Sequence, residues 1–376
     1  MVLKKSKSPS RYIRALHIDE SCMDLPYTRE ILERCGDLPV KLVADRQMPE
    51  VSTAVYPQSL QTGKQHLFLT RNRGRFLKPC PGTREYRCCG YQVLNIGMNC
   101  TMDCVYCILQ AYLNNPWLSF FVNYEELLAE LDVELASSPM AFHRIGTGEF
   151  TDSLVLDRLT ALSKILVEYM ADKTSAVLEL KTKTAEVANL QGLKHNGRTI
   201  VSWSLNSGSV MRCEELRTAS LAERLAAAAK CADWGYRLGF HFDPVIYQPD
   251  WEEGYAQTIA RLFDAVPAER IAWISIGALR YLPTLKSVAL QRFPKTGFWH
   301  EEFVMGLDGK QRYFREMRVE MYKRIVDAIM ARVASSTCVY LCMESDEIWQ
   351  AVFGYTPEAR GGLSAMLDRA AGCGNG

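Results

Sequence analysis

From Tyr91 onward the chain alternates short apolar runs with long amphipathic ones, and this alternation constrains its fold more than any other feature of the sequence. The short runs are YQVLNIG, AFHRIGTG, AVLELKT, TIVSWSLN, RLGFHFDPVI and RIAWISIGAL, each rich in β-branched or aromatic residues and closed near Gly, Asn, Asp or Thr. Between them lie NYEELLAELDVELASS, SLVLDRLTALSKILVEYMADK, the shorter AEVANLQGL, ASLAERLAAAAKCADWG and DWEEGYAQTIARLFDAV, whose apolar positions recur at helical spacing. Strand then helix, repeated about six times, predicts an α/β fold with a parallel sheet wound open or into a barrel. Parallel strands bring their C-terminal ends to one side, so Glu149, Lys181, Lys183, Asn206 and Asp243 are expected around a single mouth.

The flanks read differently. Residues 1–85 mix short amphipathic pieces (YTREILERC, SLQTGKQHLFLT) with a basic run, RNRGRFLKP, and are expected to form an N-terminal extension to a barrel over 86–285. Residues 286–376 are expected as a C-terminal extension that packs on or closes the barrel. They hold a turn-rich FVMGLDGKQRYF, a helix REMRVEMYKRIVDAIMARV, an apolar strand CVYLCME and a tail, LDRAAGCGNG, expected to fray. With 48% of 376 residues apolar, the chain can bury a large core. Lys plus Arg (44) and Asp plus Glu (43) nearly cancel, so binding to nucleic acid would have to come from a local basic face. The start, MVLKKSKSPSRYIRAL, has no apolar stretch or cleavage site of a signal peptide, and no apolar run has bilayer length, so a cytoplasmic location is expected.

Thirteen cysteines, an odd number, do not suggest a closed disulfide framework. Cys80, Cys88, Cys89, Cys100, Cys104 and Cys107 fall in one short stretch, while Cys213, Cys231, Cys338 and Cys342 sit in periodic apolar segments and read as small core residues. Within the stretch, NIGMNCTMDCVYCILQAYL spaces Cys100, Cys104 and Cys107 as C-x3-C-x2-C directly after a predicted strand. Thiolates are the expected ligands of iron–sulfur clusters. A 4Fe-4S cubane held by three of them leaves one iron open, which S-adenosylmethionine (SAM) can chelate through its amino and carboxylate groups before reductive cleavage to a 5′-deoxyadenosyl radical. A zinc site is the alternative use of clustered cysteines, but a closed one takes four ligands, and Cys88 or Cys89 would have to complete it. Tyr106, just before the third cysteine, offers an aromatic face to an adenine.

A second motif, Gly146-Thr147-Gly148-Glu149, ends the second predicted strand. Its glycines permit close approach of a ligand to the backbone, and the Glu149 carboxylate can accept hydrogen bonds from the SAM ammonium. A tight turn carrying a solvated glutamate is the competing reading.

At these residues the chain resembles the radical SAM superfamily, and more narrowly the spore photoproduct lyase family. The likeness runs through KPCPGTREY, CVYCILQAYLNNP, FFVNYEEL, GTGEFTDSL, LELKTKT, SWSLNS, GFHFDPVI with WEEGY, LQRFPKT and YLCMESDEIW, roughly residues 75 to 355. It implies an incomplete (β/α)6 radical SAM barrel with N- and C-terminal extensions. It further implies cluster ligation by Cys100, Cys104 and Cys107, Tyr106 beside SAM, and Lys181 or Lys183 and Asn206 in the SAM pocket. The implied reaction is carbon–carbon lysis of a thymine dimer in DNA, with electrons from a reductant such as flavodoxin or ferredoxin and a final hydrogen returned by a cysteine thiol.

The chain departs from the family at two places. The hydrogen-donating cysteine aligns at or next to Glu149, where FHRIGTGEFTDS has none, and the aromatic after the third cluster cysteine is Ile108. Cys88, Cys89 and Tyr91 are the candidate substitutes as donor. The family also carries a basic hairpin that wedges into DNA. Here LDGKQRYFREMR offers Lys310, Arg312, Tyr313 and Arg315 around an Asp308-Gly309 turn, with Arg71, Arg73, Arg75 and Lys78 as further contributors to a cationic face. A solvated charged turn is the other reading of that segment. Two further functions stand beside lesion repair: radical modification of a peptide or small molecule, and a DNA-binding or zinc-stabilised protein without radical chemistry.

Overall fold

The computed structural model of the chain describes residues 9–82, 85–137 and 141–372. The tail LDRAAGCGNG does not fray from its start: residues 367–370 close the helix Leu363–Ala370, with Leu367 and Ala370 buried, and of the tail only residues 373–376 lie outside the described residues. Its main sheet has eight strands in the order Cys338–Leu341, Ile271–Ala278, Arg237–Val245, Thr199–Ser204, Ala176–Thr182, His143–Gly146, Gln92–Leu94 and Leu77–Pro79. All neighbours are parallel except the last pair. The six strands expected from the sequence stand side by side in chain order, and the sheet curls into a half-barrel. The central strands are buried on both faces because helices cover the outside and a cavity wall forms the inside, which is why they read as nearly continuous apolar runs.

The covering helices follow their sequence periodicity. Tyr124–Ser137 buries Leu127, Leu131 and Leu135, one turn apart. Leu221–Asp233 opens with a capping box: the Ser220 hydroxyl accepts from the Glu223 amide, and the Glu223 carboxylate accepts from the Ser220 amide at 2.8 Å. Two helices depart from expectation. The predicted helix 153–173 is broken into Asp157–Thr160 and Leu162–Met170, with Ala161 left-handed (φ 52°). The buried Asp157 carboxylate accepts from the Ser163 amide and hydroxyl, at 2.8 and 2.7 Å, and so competes with the helical ladder. AEVANLQGL holds only a 3-10 turn at Ala188–Leu190.

The first residues build a second sheet, ordered Val40–Val43, Ala15–Asp19, His66–Thr70, Leu118–Phe121, Gly97–Met98, parallel except for its last pair. Leu118–Phe121 and Gly97–Met98 come from the two sides of the three-cysteine segment, so that segment is suspended between neighbouring strands. At the other end of the chain, Cys338–Leu341 adds a seventh parallel strand to the half-barrel, and Val304–Met305 pairs with Gln311–Arg312 in a hairpin attached to Arg280–Tyr281. Among the described residues no helix is long and apolar enough to cross a membrane.

Candidate active site

The C-terminal ends of the parallel strands surround a cavity of about 350 Å³. Cys100, Cys104, Tyr106, Cys107 and Ile108 form one wall; Gly148, Glu149, Lys181, Lys183, Asp243, Arg280 and Lys310 bring charge and polarity to it; Cys80, Cys89, Tyr91 and Cys342 line it as well. The sequence-predicted residues thus converge, with exceptions described below.

The cysteine segment is held from its first residue. Asn99 adopts a left-handed conformation (φ 70°), its side-chain oxygen accepts from the Cys100 amide at 2.9 Å, and its nitrogen donates to the Pro116 and Trp117 carbonyls. Cys100 and Cys104 are buried and Cys107 is half-buried. Burial pushes the Cys104 thiol up to about 12 and the Cys100 thiol well above its ordinary value, so metal binding here must release protons. The Met102 amide points at the Cys100 sulfur at 3.4 Å. Among the described residues no three His, Cys, Asp or Glu side chains converge closely enough for a single metal ion. Three cysteines sharing one cavity wall fit the three-thiolate donor set of a 4Fe-4S cubane.

Asp103, between two of the cysteines, was not singled out by the sequence. Its carboxylate receives both oxygens' hydrogen bonds from the Arg292 guanidinium (2.8 and 3.0 Å) and one from Lys64 (3.1 Å). Burial would raise this carboxyl, yet Lys64 and Arg292 hold it below its ordinary value. A second missed residue is Glu215, fully buried, which accepts from Lys183 at 2.9 Å and from Tyr106 and Arg224. Burial would raise Glu215, but Arg224 and Lys183 bring it to about 2. Lys183 and Tyr106 are therefore fixed against the cysteine wall by an anion that sequence spacing could not reveal.

A third network lies on the cavity floor. Glu179 Oε1 accepts from His241 Nε2 (2.8 Å), Ser202 Oγ (2.5 Å) and Trp273 Nε1 (3.0 Å), and His241 Nδ1 meets Ser275 Oγ at 2.7 Å. Lys181 Nζ bridges to Glu149 at 2.6 Å, so the carboxylate expected to meet an ammonium already has an internal one. Asp243 and Arg280 pair through two bonds of 3.0 Å.

Several expectations need correction. Gly146 does not open the backbone to a ligand: a Cβ there would fall 1.6 Å from the Tyr91 hydroxyl, so the glycine makes room for Tyr91. That hydroxyl is buried without a hydrogen-bond partner among the described residues. Asn206 does not line the cavity; it donates to the Pro244 carbonyl at 2.8 Å and accepts from Tyr255 and the Ser207 amide, bracing the strand ends instead. Cys88 is exposed and outside the cavity, whereas its neighbour Cys89 lines it.

The hairpin exists but is turned the other way. Arg312 is buried over the Tyr86 ring, with its guanidinium on Asp308 (2.7 Å) and the Met343 carbonyl. Tyr313 is fully buried, stacked on Phe303, and its hydroxyl accepts from the Tyr247 amide. Lys310 is buried and faces the cavity, and of the four only Arg315 is exposed. What the hairpin shows to solvent is apolar: Val304, Met305 and Leu307, the last 79% exposed. Arg71, Arg73 and Arg75 are paired with Glu126, Asp45 and Glu134, which neutralises the cationic face expected there, while Lys78 is exposed.

A half-barrel of sequential parallel strands with a three-cysteine wall at its C-terminal mouth is the architecture of a radical SAM enzyme. A profile described as "Spore photoproduct lyase" matches residues 80–338, and the chain belongs to that family. It is 25% identical over 287 residues to spore photoproduct lyase of Bacillus subtilis (strain 168), covering 75% of this chain and 82% of that protein. It is 31% identical over 205 residues to the Geobacillus sp. (strain Y412MC61) enzyme, covering 54% of this chain and 60% of that one. Among solved structures, a spore photoproduct lyase variant with bound AdoMet and dinucleoside spore photoproduct superposes with a TM-score of 0.78 at 23% identity, over 87% of this chain and 98% of that one. A spore photoproduct lyase complexed with dinucleoside spore photoproduct gives 0.77 at 23%, over 88% and 98%. These likenesses do not favour a peptide-modifying enzyme or a zinc-stabilised DNA-binding protein.

Proposed function

We propose that the chain repairs a thymine-dimer-type lesion in DNA, with a 4Fe-4S cluster on Cys100, Cys104 and Cys107 and SAM beside Tyr106, Gly148, Glu149 and Lys181. The observation that carries this reading is that the three cysteines share one cavity with the polar strand ends. Bound there, cluster and SAM supply a carbon radical, given an electron from a reductant of the flavodoxin or ferredoxin class. The protein's own part is orientation. Lys183 and Tyr106 are locked by Glu215, Glu149 offers a carboxylate once Lys181 yields it, and the Arg280–Asp243 pair and Lys310 line the same cavity.

For the returning hydrogen atom we assign Cys89, with Tyr91 next to it. The contact between the two thiols lowers Cys88 and, together with burial, raises Cys89, so of the pair Cys89 is the better holder of a hydrogen. Cys89 also lines the cavity and Cys88 does not.

Anaerobic reconstitution followed by SAM, dithionite and an oligonucleotide bearing the lesion tests the proposal. Release of 5′-deoxyadenosine together with restored thymines is expected. No 5′-deoxyadenosine would remove the radical chemistry; 5′-deoxyadenosine without repair would remove the substrate. With deuterated SAM and Cys89→Ala, loss of repair with retained SAM cleavage is expected, and unchanged repair would overturn the donor assignment.

A further inference from the structure

Asp103 joins three remote parts of the chain at the cysteine segment. Lys64, at the C-terminal end of the short helix Ser59–Gly63, reaches Asp103 at 3.1 Å and the Met102 carbonyl at 2.6 Å. Arg292, the last residue of helix Pro283–Arg292, grips both Asp103 oxygens and also donates to the Gln110 side-chain oxygen. Gln110 in turn donates to the Cys104 and Val105 carbonyls, both at 3.1 Å. On the far side, Asp103 and Cys104 pair antiparallel with Leu216 and Glu215. The side chains of Lys64, Asp103 and Arg292 are between 2% and 8% exposed, so this is an interior clamp rather than a surface ion pair.

Apart from the Arg292–Gln110 side-chain link, these bonds act on the backbone or on the one carboxylate between the cysteines, and none uses a cysteine sulfur. The segment's shape is therefore set without the metal. We infer that Asp103, held by Lys64 and Arg292, is a positioning residue that keeps the three-cysteine segment in its cluster-receiving form before any cluster arrives. The inference rests on the proposed cluster reading and adds to it a source of preorganisation from both flanks of the barrel. A segment that must find its form during assembly binds more weakly by the fraction of time it is competent. If releasing the clamp leaves the segment competent a tenth of the time, cluster uptake falls about tenfold.

The test compares the metal-free wild type with Asp103→Asn, Lys64→Met and Arg292→Lys. Hydrogen exchange of amides 100–107 is read first, without iron, and the rate and extent of iron and sulfide uptake second, with the electron paramagnetic resonance of the reduced cluster with and without SAM. Slow exchange is expected in the metal-free wild type, with faster exchange and slowed uptake in the first two variants. Arg292→Lys keeps the charge but has no second nitrogen to hold Gln110 while the first holds Asp103, and is expected to fall between. Should Asp103→Asn not fold, Lys64→Met and Arg292→Lys carry the comparison. Fast exchange across the segment in metal-free wild type, or variants that take up cluster at the wild-type rate, would overturn the inference. A wild type that takes up no cluster while its segment is protected would instead remove the cluster reading and leave the clamp standing.

Discussion

Replacing Glu179 with Gln measures how strongly the cavity floor depends on one buried charge. Glu179 Oε1 accepts three hydrogen bonds, from His241, Ser202 and Trp273, and its side chain is only 5% exposed. Burial would raise its carboxyl, yet His241 and Lys181, together with the Ser202 hydroxyl, lower it from 4.5 to about 2. At about 1.4 kcal/mol for each pH unit, that depression corresponds to roughly 3 kcal/mol of folding stability at neutral pH. Because the folded value lies below the unfolded one, this stability is present above pH 4.5 and is lost as pH falls from there toward about 2. Glu179→Gln keeps an oxygen acceptor and removes the charge. Urea unfolding of the metal-free protein should place the variant roughly 3 kcal/mol below wild type at pH 7, with the gap narrowing steadily between pH 4.5 and 3. A gap that is the same at pH 7 and pH 3, or equal midpoints at pH 7, would refute the reasoning.

Further outcomes follow from other contacts. Gly146→Ala drives a methyl into the Tyr91 hydroxyl and should cost about 1–3 kcal/mol by thermal or urea unfolding, and should cost far less when made in a Tyr91→Ala background, where the clash is gone. Arg312→Ala should destabilise the chain, since it strips the buried Asp308 and Glu344 carboxylates of a partner, without changing the salt dependence of DNA binding. Arg315→Ala should leave stability unchanged and lower the slope of log affinity against log salt by about 0.9 if its exposed guanidinium meets one phosphate. Glu149→Gln should weaken SAM binding by about tenfold or more in calorimetry, the loss of one charge-assisted hydrogen bond, and equal affinity would argue that Lys181 never releases it.

The sequence made the half-barrel readable because its strands are buried on both faces and separated by helices with a clear apolar stripe. AVLELKT, for instance, coincides with the strand Ala176–Thr182. It made the cysteine wall readable because those ligands are close in sequence. The second sheet was harder: ALHID is buried at all five positions and carries no alternation, and VKLV is exposed at three of four. The supporting charges were invisible for a different reason. Glu215 meets Tyr106 across 109 positions and Asp103 meets Arg292 across 189, and no local spacing encodes such pairs. The hairpin shows the converse error, in which composition suggested a basic surface while Asp308, four residues before Arg312, drew that arginine inward.

The crossing of the chain between its two sheets has a consequence for how the protein can be divided. Leu118–Phe121 lies after the cysteines, yet its parallel neighbour is His66–Thr70, far upstream. A fragment begun at residue 86 would keep every cysteine of the triad and still expose the backbone donors and acceptors along one flank of Leu118–Phe121, next to Phe120 and Phe121. Such a bare β-edge recruits other copies, so the shortened protein should be prone to self-association even though it keeps all seven parallel strands of the half-barrel and loses only Leu77–Pro79 from that sheet.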